Sequence, residues 1–173
     1  MSGVDRRLVR ATLVALVVFV VDLATKRIVE GTMTVGQEIP VVPGFGLLYV
    51  RNSGAAFGLL SGAPEWLRIP LFLVVTVAAL WLLVSYLRST PPERGWVVVA
   101  LGGIVGGALG NLACRLRSGE VVDFFHLHVG EWSWPMFNVA DIGITLGVAV
   151  VLLESFRAPA TGEAPAASPT TRR

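Results

Sequence analysis

The sequence predicts an all-α membrane protein of four transmembrane helices with a small sheet at the membrane surface, and three observations carry that fold class. The 173 residues are 54% hydrophobic with a mean hydropathy of +0.70. Charged residues are only 15%, well under the share in a soluble domain. Four separate apolar runs are each long enough to cross a hydrocarbon core of about 30 Å, which takes about 20 helical residues. A formal net charge of +2, with no basic run interleaved with aromatics, sets a nucleic-acid partner aside. The single cysteine, Cys114, excludes an internal disulfide scaffold or a multi-cysteine zinc site.

The spans fall near residues 8–27, 67–87, 96–114 and 138–156, within one membrane domain covering 1–157. Arg6, Arg7 and Arg10 before Leu13–Val21 resemble the start of a cleavable signal peptide. Asp22 and Lys26 follow in place of a small-x-small cleavage site, so an uncleaved first helix is expected. With four spans both termini share a side. That side holds Arg6, Arg7, Arg10, Arg88, Arg94, Arg157, Arg172 and Arg173 against Asp5, Glu93, Glu154 and Glu163. The other side holds Lys26, Arg27, Arg51, Arg68, Arg115 and Arg117 among the remaining acids, so the positive-inside rule puts both termini in the cytoplasm. Loops 28–66 and 115–137 then face outward. In the first, "IPVVPGFGLLYV" has β-branched and aromatic runs broken by Pro43-Gly44, which reads as a hairpin or curled sheet. Residues 158–173, rich in Ala, Pro and Thr without apolar periodicity, read as a disordered tail.

Polar residues inside apolar spans are costly, so each is a functional hypothesis. Asp22 and Lys26 lie four apart on one helical face, as do Asn111 and Arg115. Either pair also reads as a structural anchor. "LGGIVGGALG" stacks Gly102, Gly106 and Gly110 on one stripe and Gly103 with Gly107 on another, the small-xxx-small pattern of closely packed membrane helices. Asp141 lies about one turn inside the fourth span, with Asn138 three residues earlier on its face. Asp123, flanked by "VV" and "FF", can reach the same depth. Two carboxyls in a poorly solvated site favour sharing one proton, the state that activates a water against an amide. A proton or cation pathway explains these acids equally, and capping of the fourth helix by Asn138 is a third reading. Acids clustered at one membrane edge favour surface chemistry over a transporter or assembly factor.

Five segments in order, "DLATK" (22–26), "RNSGAAFG" (51–58), "GGALGNLACR" (106–115), "VVDFF" (121–125) and "FNVAD" (137–141), resemble the bacterial lipoprotein signal peptidases, signal peptidase II of peptidase family A8. The resemblance covers nearly all of the chain to about Phe156. It implies an aspartic endopeptidase of the inner membrane with a periplasmic β-cradle, cutting diacylglyceryl-modified prolipoproteins just before the lipidated cysteine. Carried over by position, it implies Asp123 and Asp141 as catalytic dyad, with Asp22, Lys26, Asn52, Gly54, Asn111, Arg115, Asn138 and Ala140 supporting the site or binding substrate. It implies membrane lipids as surroundings, no metal and no organic cofactor, and leaves the oligomeric state open. One position departs: Cys114 stands where the family often has Asp, so Arg115 is expected to turn to Asp22 or to a substrate carbonyl.

Other polar residues read as bland. His126 and His128 lack a third ligand at suitable spacing, Trp132 and Trp134 suit an aromatic belt, and Ser53 has no partnered base. "VRNSGAAFGLLSG" (50–62) reads as a hinge forming one wall above Asp123 and Asp141. In it, Asn52 and the backbone of Gly54, Ala55 and Ala56 meet substrate and Phe57 anchors the segment.

Overall fold

A computed structural model describes residues 3–54, 60, 62–91 and 94–157. The expected tail, 158–173, and Ala55, Ala56 and Phe57 of the expected wall lie outside the described residues. The chain runs α1 (Gly3–Thr32), β1 (Glu38–Val42), β2 (Phe45–Asn52), α2 (Glu65–Ser89), α3 (Gly95–Ser118), β3 (Val121–Val129), β4 (Trp132–Ser133) and α4 (Val139–Arg157). All four helices are long and apolar enough to cross a membrane. They outrun the apolar windows because helix geometry continues past the apolar residues, through Thr32 on α1 and through Arg115 and Arg117 on α3.

The bundle is organised around α3. In its apolar window 61% of residues are buried, against 11% or fewer in the other three, so α3 is the protein-facing helix and the rest face lipid. Glycine decides this, because lipid tails supply no hydrophobic drive for helix association and close backbone approach must come from small residues. The two stripes legible in the sequence face two different helices. A Cβ on Gly102 would come within 2.6 Å of the Ala11 carbonyl, and one on Gly106 would collide with that of Ala15, both on α1. A Cβ on Gly103 would lie 3.3 Å from the Gly143 carbonyl, and one on Gly107 would collide with that of Ala140, both on α4.

The strands form one antiparallel sheet in the order β1-β2-β3-β4 at the end of the bundle bridged by the α1–α2 and α3–α4 connections. The hairpin expected around Pro43-Gly44 is present, with Gly44 at φ +84°, where a side chain would be strained. Residues 121–129, read from sequence only as a loop dipping into the interface, form the long strand β3 instead. Its β-branched and aromatic residues gain partners on β2, and Tyr49, Val122 and Phe124 pack on Val29 and Met33 of α1 and the segment after it. That small core fixes the sheet over the helix ends.

Candidate active site

The site begins with a helix cap. Asn138 precedes α4, and its side-chain oxygen accepts from Asp141 N at 3.0 Å, while Asp141 Oδ2 accepts from Asn138 N at 3.1 Å. This reciprocal capping box satisfies two backbone donors that the helix leaves free. The capping reading of Asn138 is therefore correct, and the same bonds immobilise the Asp141 carboxylate. Asn138 is fully buried, and its amide nitrogen donates to Asp123 Oδ1 at 2.6 Å. One side chain thus joins both acids, which sequence separation alone could not establish.

Asp123, only 3% exposed, is delivered by β3. Its register partner on β2 is Val50, and two residues further along β2 Asn52 donates its amide to Asp123 Oδ2 at 3.0 Å. Asn52 Oδ1 accepts from Gly54 N at 3.0 Å, so the same side chain also fixes the turn that follows β2. Burial pushes the Asp123 carboxyl up to about 6; the two amide donors oppose that rise, and the nearby Asp141 carboxylate adds to it.

A second layer fixes Asp141. Lys26 Nζ donates to Asp22 Oδ2 at 2.7 Å and to Asn111 Oδ1 at 2.8 Å. An ammonium can only donate, so the Asn111 oxygen must face it, and the Asn111 amide nitrogen then points to Asp141 Oδ1 at 2.8 Å. The other oxygen of Asp22 accepts from Ala140 N at 2.9 Å, placing a carboxylate from α1 at the positive end of α4. Asp22, Lys26 and Ala140 are all at most 1% exposed. The Asp22–Lys26 pair therefore welds α1, α3 and α4 together, and the close packing at Gly107 presses the Ala140 turn into place.

Arg115 does not reach Asp22, which Lys26 and Ala140 occupy. It donates from Nη2 to the Gly54 carbonyl at 3.0 Å, and its guanidinium lies over the Phe72 ring, 4.2 Å from the centroid. Sequence reasoning missed a companion: Arg68 of α2, 8% exposed, donates to the Ser53 carbonyl. Its signal was available as an ionisable residue at the start of an apolar span. Two guanidinium groups from different helices thus grip consecutive carbonyls of the loop beside Asp123.

At the rim of the sheet, Glu38 joins His126 and His128, with one ligand atom from each lying within 4.8 Å of the others. The third donor that the spacing lacked therefore exists, on another strand. Trp132 and Trp134 are largely exposed, with ring centroids 5.9 Å apart.

Asn138 thus holds one carboxyl by its side chain and the other by its backbone N–H, and two acids fixed in this way at the edge of an apolar bundle can act together on a water molecule. The family model for Signal peptidase (SPase) II, Peptidase_A8, matches residues 14–157. The lipoprotein signal peptidase of Nitratidesulfovibrio vulgaris (strain DP4) is 45% identical over 147 residues, 84% of this chain and 88% of the relative. That of Aquifex aeolicus (strain VF5) is 43% identical over 143 residues, 83% of each. Two bacterial membrane enzyme structures solved by the in meso method, at 2.3 and 1.9 Å, superpose with TM-scores of 0.77 and 0.75. Both are 32% identical; the matches cover 85% and 86% of this chain and 87% and 93% of theirs.

Proposed function

This chain belongs to the signal peptidase II family, membrane aspartic peptidases that remove signal peptides from prolipoproteins, and from that premise we propose that Asp123 and Asp141 are its catalytic pair. The observation that carries the proposal is Asn138, which donates to Asp123 and caps α4 in a reciprocal pair with Asp141. Asp141, held by the Asn111 amide and Asn138 N, is the charged partner and takes a proton from water as its oxygen attacks the scissile carbonyl carbon. Asp123, whose burial favours the neutral acid, gives its proton to the carbonyl oxygen. Collapse of the tetrahedral diol breaks the C–N bond; Asp141 passes its proton to the leaving amine, and Asp123 takes one back from the hydroxyl. Both acids end as they began, and no covalent enzyme intermediate forms.

Asp22, Lys26, Asn111 and Ala140 are positioning residues, since they act on Asp141 through α4 and through each other. Asn52, Gly54, Arg68 and Arg115 shape the wall along which an extended substrate backbone lies. The substrate is a prolipoprotein carrying a diacylglyceryl-modified cysteine. The sheet end faces outward from the bacterial inner membrane, and both termini are cytoplasmic, consistent with the Lys/Arg distribution.

The test is incubation of the purified chain with the same prolipoprotein in lipidated and unlipidated form. Cleavage of the lipidated form alone, before the modified cysteine, is the expected result, and loss of cleavage in Asp123→Asn and in Asp141→Asn assigns it to the pair. Cleavage of neither form would favour a non-enzymatic membrane protein using the same acids. Normal turnover in either variant would sink the dyad.

A further inference from the structure

We propose that Glu38, His126 and His128 form a Zn²⁺ site that clips the edge strand β1 to β3. Within β3 the two histidines are two residues apart and so project from one face. Glu38 stands on β1, separated from β3 by β2, and a side chain on β2 would normally fill the space between them. The intervening residue is Gly46, paired with His126 on one side and Pro40 on the other. A Cβ there would meet Glu38 Oε1 at 3.4 Å. The missing side chain opens the lane through which the Glu38 carboxylate reaches His126 Nδ1 at 2.7 Å.

Two imidazoles and a carboxylate with an open fourth position are a zinc donor set. A tetrahedral ion with bonds of about 2.0–2.2 Å needs its ligand atoms about 3.3 Å apart. The three donors already lie within 4.8 Å of one another, and Glu38 is 44% exposed on its side chain, free to shift by a rotamer.

The outer partner is also in place. His126 Nε2 lies 2.9 Å from Ser133 Oγ, which is itself 3.2 Å from the Trp134 carbonyl. Without metal, Nδ1–H donates to Glu38 and the serine hydroxyl donates to Nε2. With metal on Nδ1, the tautomer reverses: Nε2–H donates to Ser133 Oγ, whose proton turns to the Trp134 carbonyl. In both states each ring nitrogen of His126 has a partner, and the second is the orientation that metal-bound histidines adopt. All five residues of β1 are exposed, so the ion's role is to hold an edge strand that side-chain packing does not. This site is separate from the acid pair, since His126 lies three residues along β3 from Asp123, about 10 Å at strand rise.

The experiment uses the full-length, untagged chain in detergent, stripped with a chelator and titrated with Co²⁺ and then with Zn²⁺. Expected are one Co²⁺ per chain with the visible absorption of a tetrahedral ion, its displacement by one Zn²⁺, and a zinc-dependent rise in the thermal midpoint. Glu38→Gln and His128→Gln each abolish all three, and Ser133→Ala weakens binding by roughly 10–100-fold. Prolipoprotein cleavage by the metal-free variants shows that they are folded. Absence of stoichiometric binding by the wild-type chain overturns the proposal, as does binding of equal affinity in the two ligand variants.

Discussion

Replacing Asp123 by Asn should abolish cleavage and at the same time stabilise the folded chain at neutral pH. The carboxyl titrates near 3.8 when solvated and at about 6 in the fold, where it is 3% exposed. At roughly 1.4 kcal/mol per pH unit of displacement, holding it ionised in the fold costs about 3 kcal/mol. A carboxyl whose folded value is raised contributes stability below its unfolded value, and that stability is lost as pH rises through the folded value. The wild-type chain therefore loses about 3 kcal/mol between pH 3.8 and pH 6 from this group, and the variant loses none of it. Asn is isosteric, but its NH₂ must face one of the two amide donors now bonding Asp123, Asn52 or Asn138, which costs about 1–2 kcal/mol. The net expectation at pH 8 is a gain of about 1–2 kcal/mol. The assay is reversible unfolding of both proteins in one detergent from pH 3.5 to 8. Parallel curves across that window would refute the reasoning, because every other titrating group is common to both proteins. The same proton sets activity: kcat/KM should fall by about tenfold per pH unit above pH 6 as Asp123 ionises.

Asp141→Asn removes the proposed base, so cleavage should drop by about 10²–10⁴-fold, and because its NH₂ must face the Asn111 amide or Asn138 N the fold should also lose about 1–2 kcal/mol. Gly107→Ala drives a methyl into the Ala140 carbonyl and displaces the turn carrying Asp141; turnover should fall by roughly 10²-fold, far more than for Gly103→Ala, where the gap is 3.3 Å. Lys26→Met leaves Asp22 buried without its cation and should destabilise the chain by about 3–5 kcal/mol, most of it recovered in the double variant Asp22→Asn/Lys26→Met. Arg68→Ala frees the Ser53 carbonyl and should raise KM for a lipidated substrate several-fold, with a smaller effect on unfolding.

These predictions share a cause. The groups that tie the helices together at the sheet end are the groups that fix the acids, so polar side chains with a structural reading and a functional one satisfy both. Asn138 is a helix cap and a donor to Asp123. Lys26 is an ion-pair partner and the group that orients the Asn111 amide toward Asp141. Asp123 itself runs against this economy, since a buried carboxyl pushed to about 6 destabilises the fold at neutral pH.

Local spacing alone determined the four apolar helices, the two glycine stripes of α3, the Asp22–Lys26 pair and the Asn138–Asp141 relation. The helices follow from the length of the apolar runs, and the other three are i, i+3 or i, i+4 relations that helix periodicity translates directly into a shared face. The ordered segments also carried the family resemblance. The tertiary structure alone decided which stripe meets which helix, that residues 121–129 form a strand, and that Asn52 reaches an acid 71 residues away. It also decided that Arg115 grips Gly54 rather than Asp22, that Arg68 joins it, and that Glu38 crosses a bare Gly46 to two histidines. These contacts depend on strand register and on the order in which helices pack, both set by pairings between segments far apart in the chain, for which no local period exists.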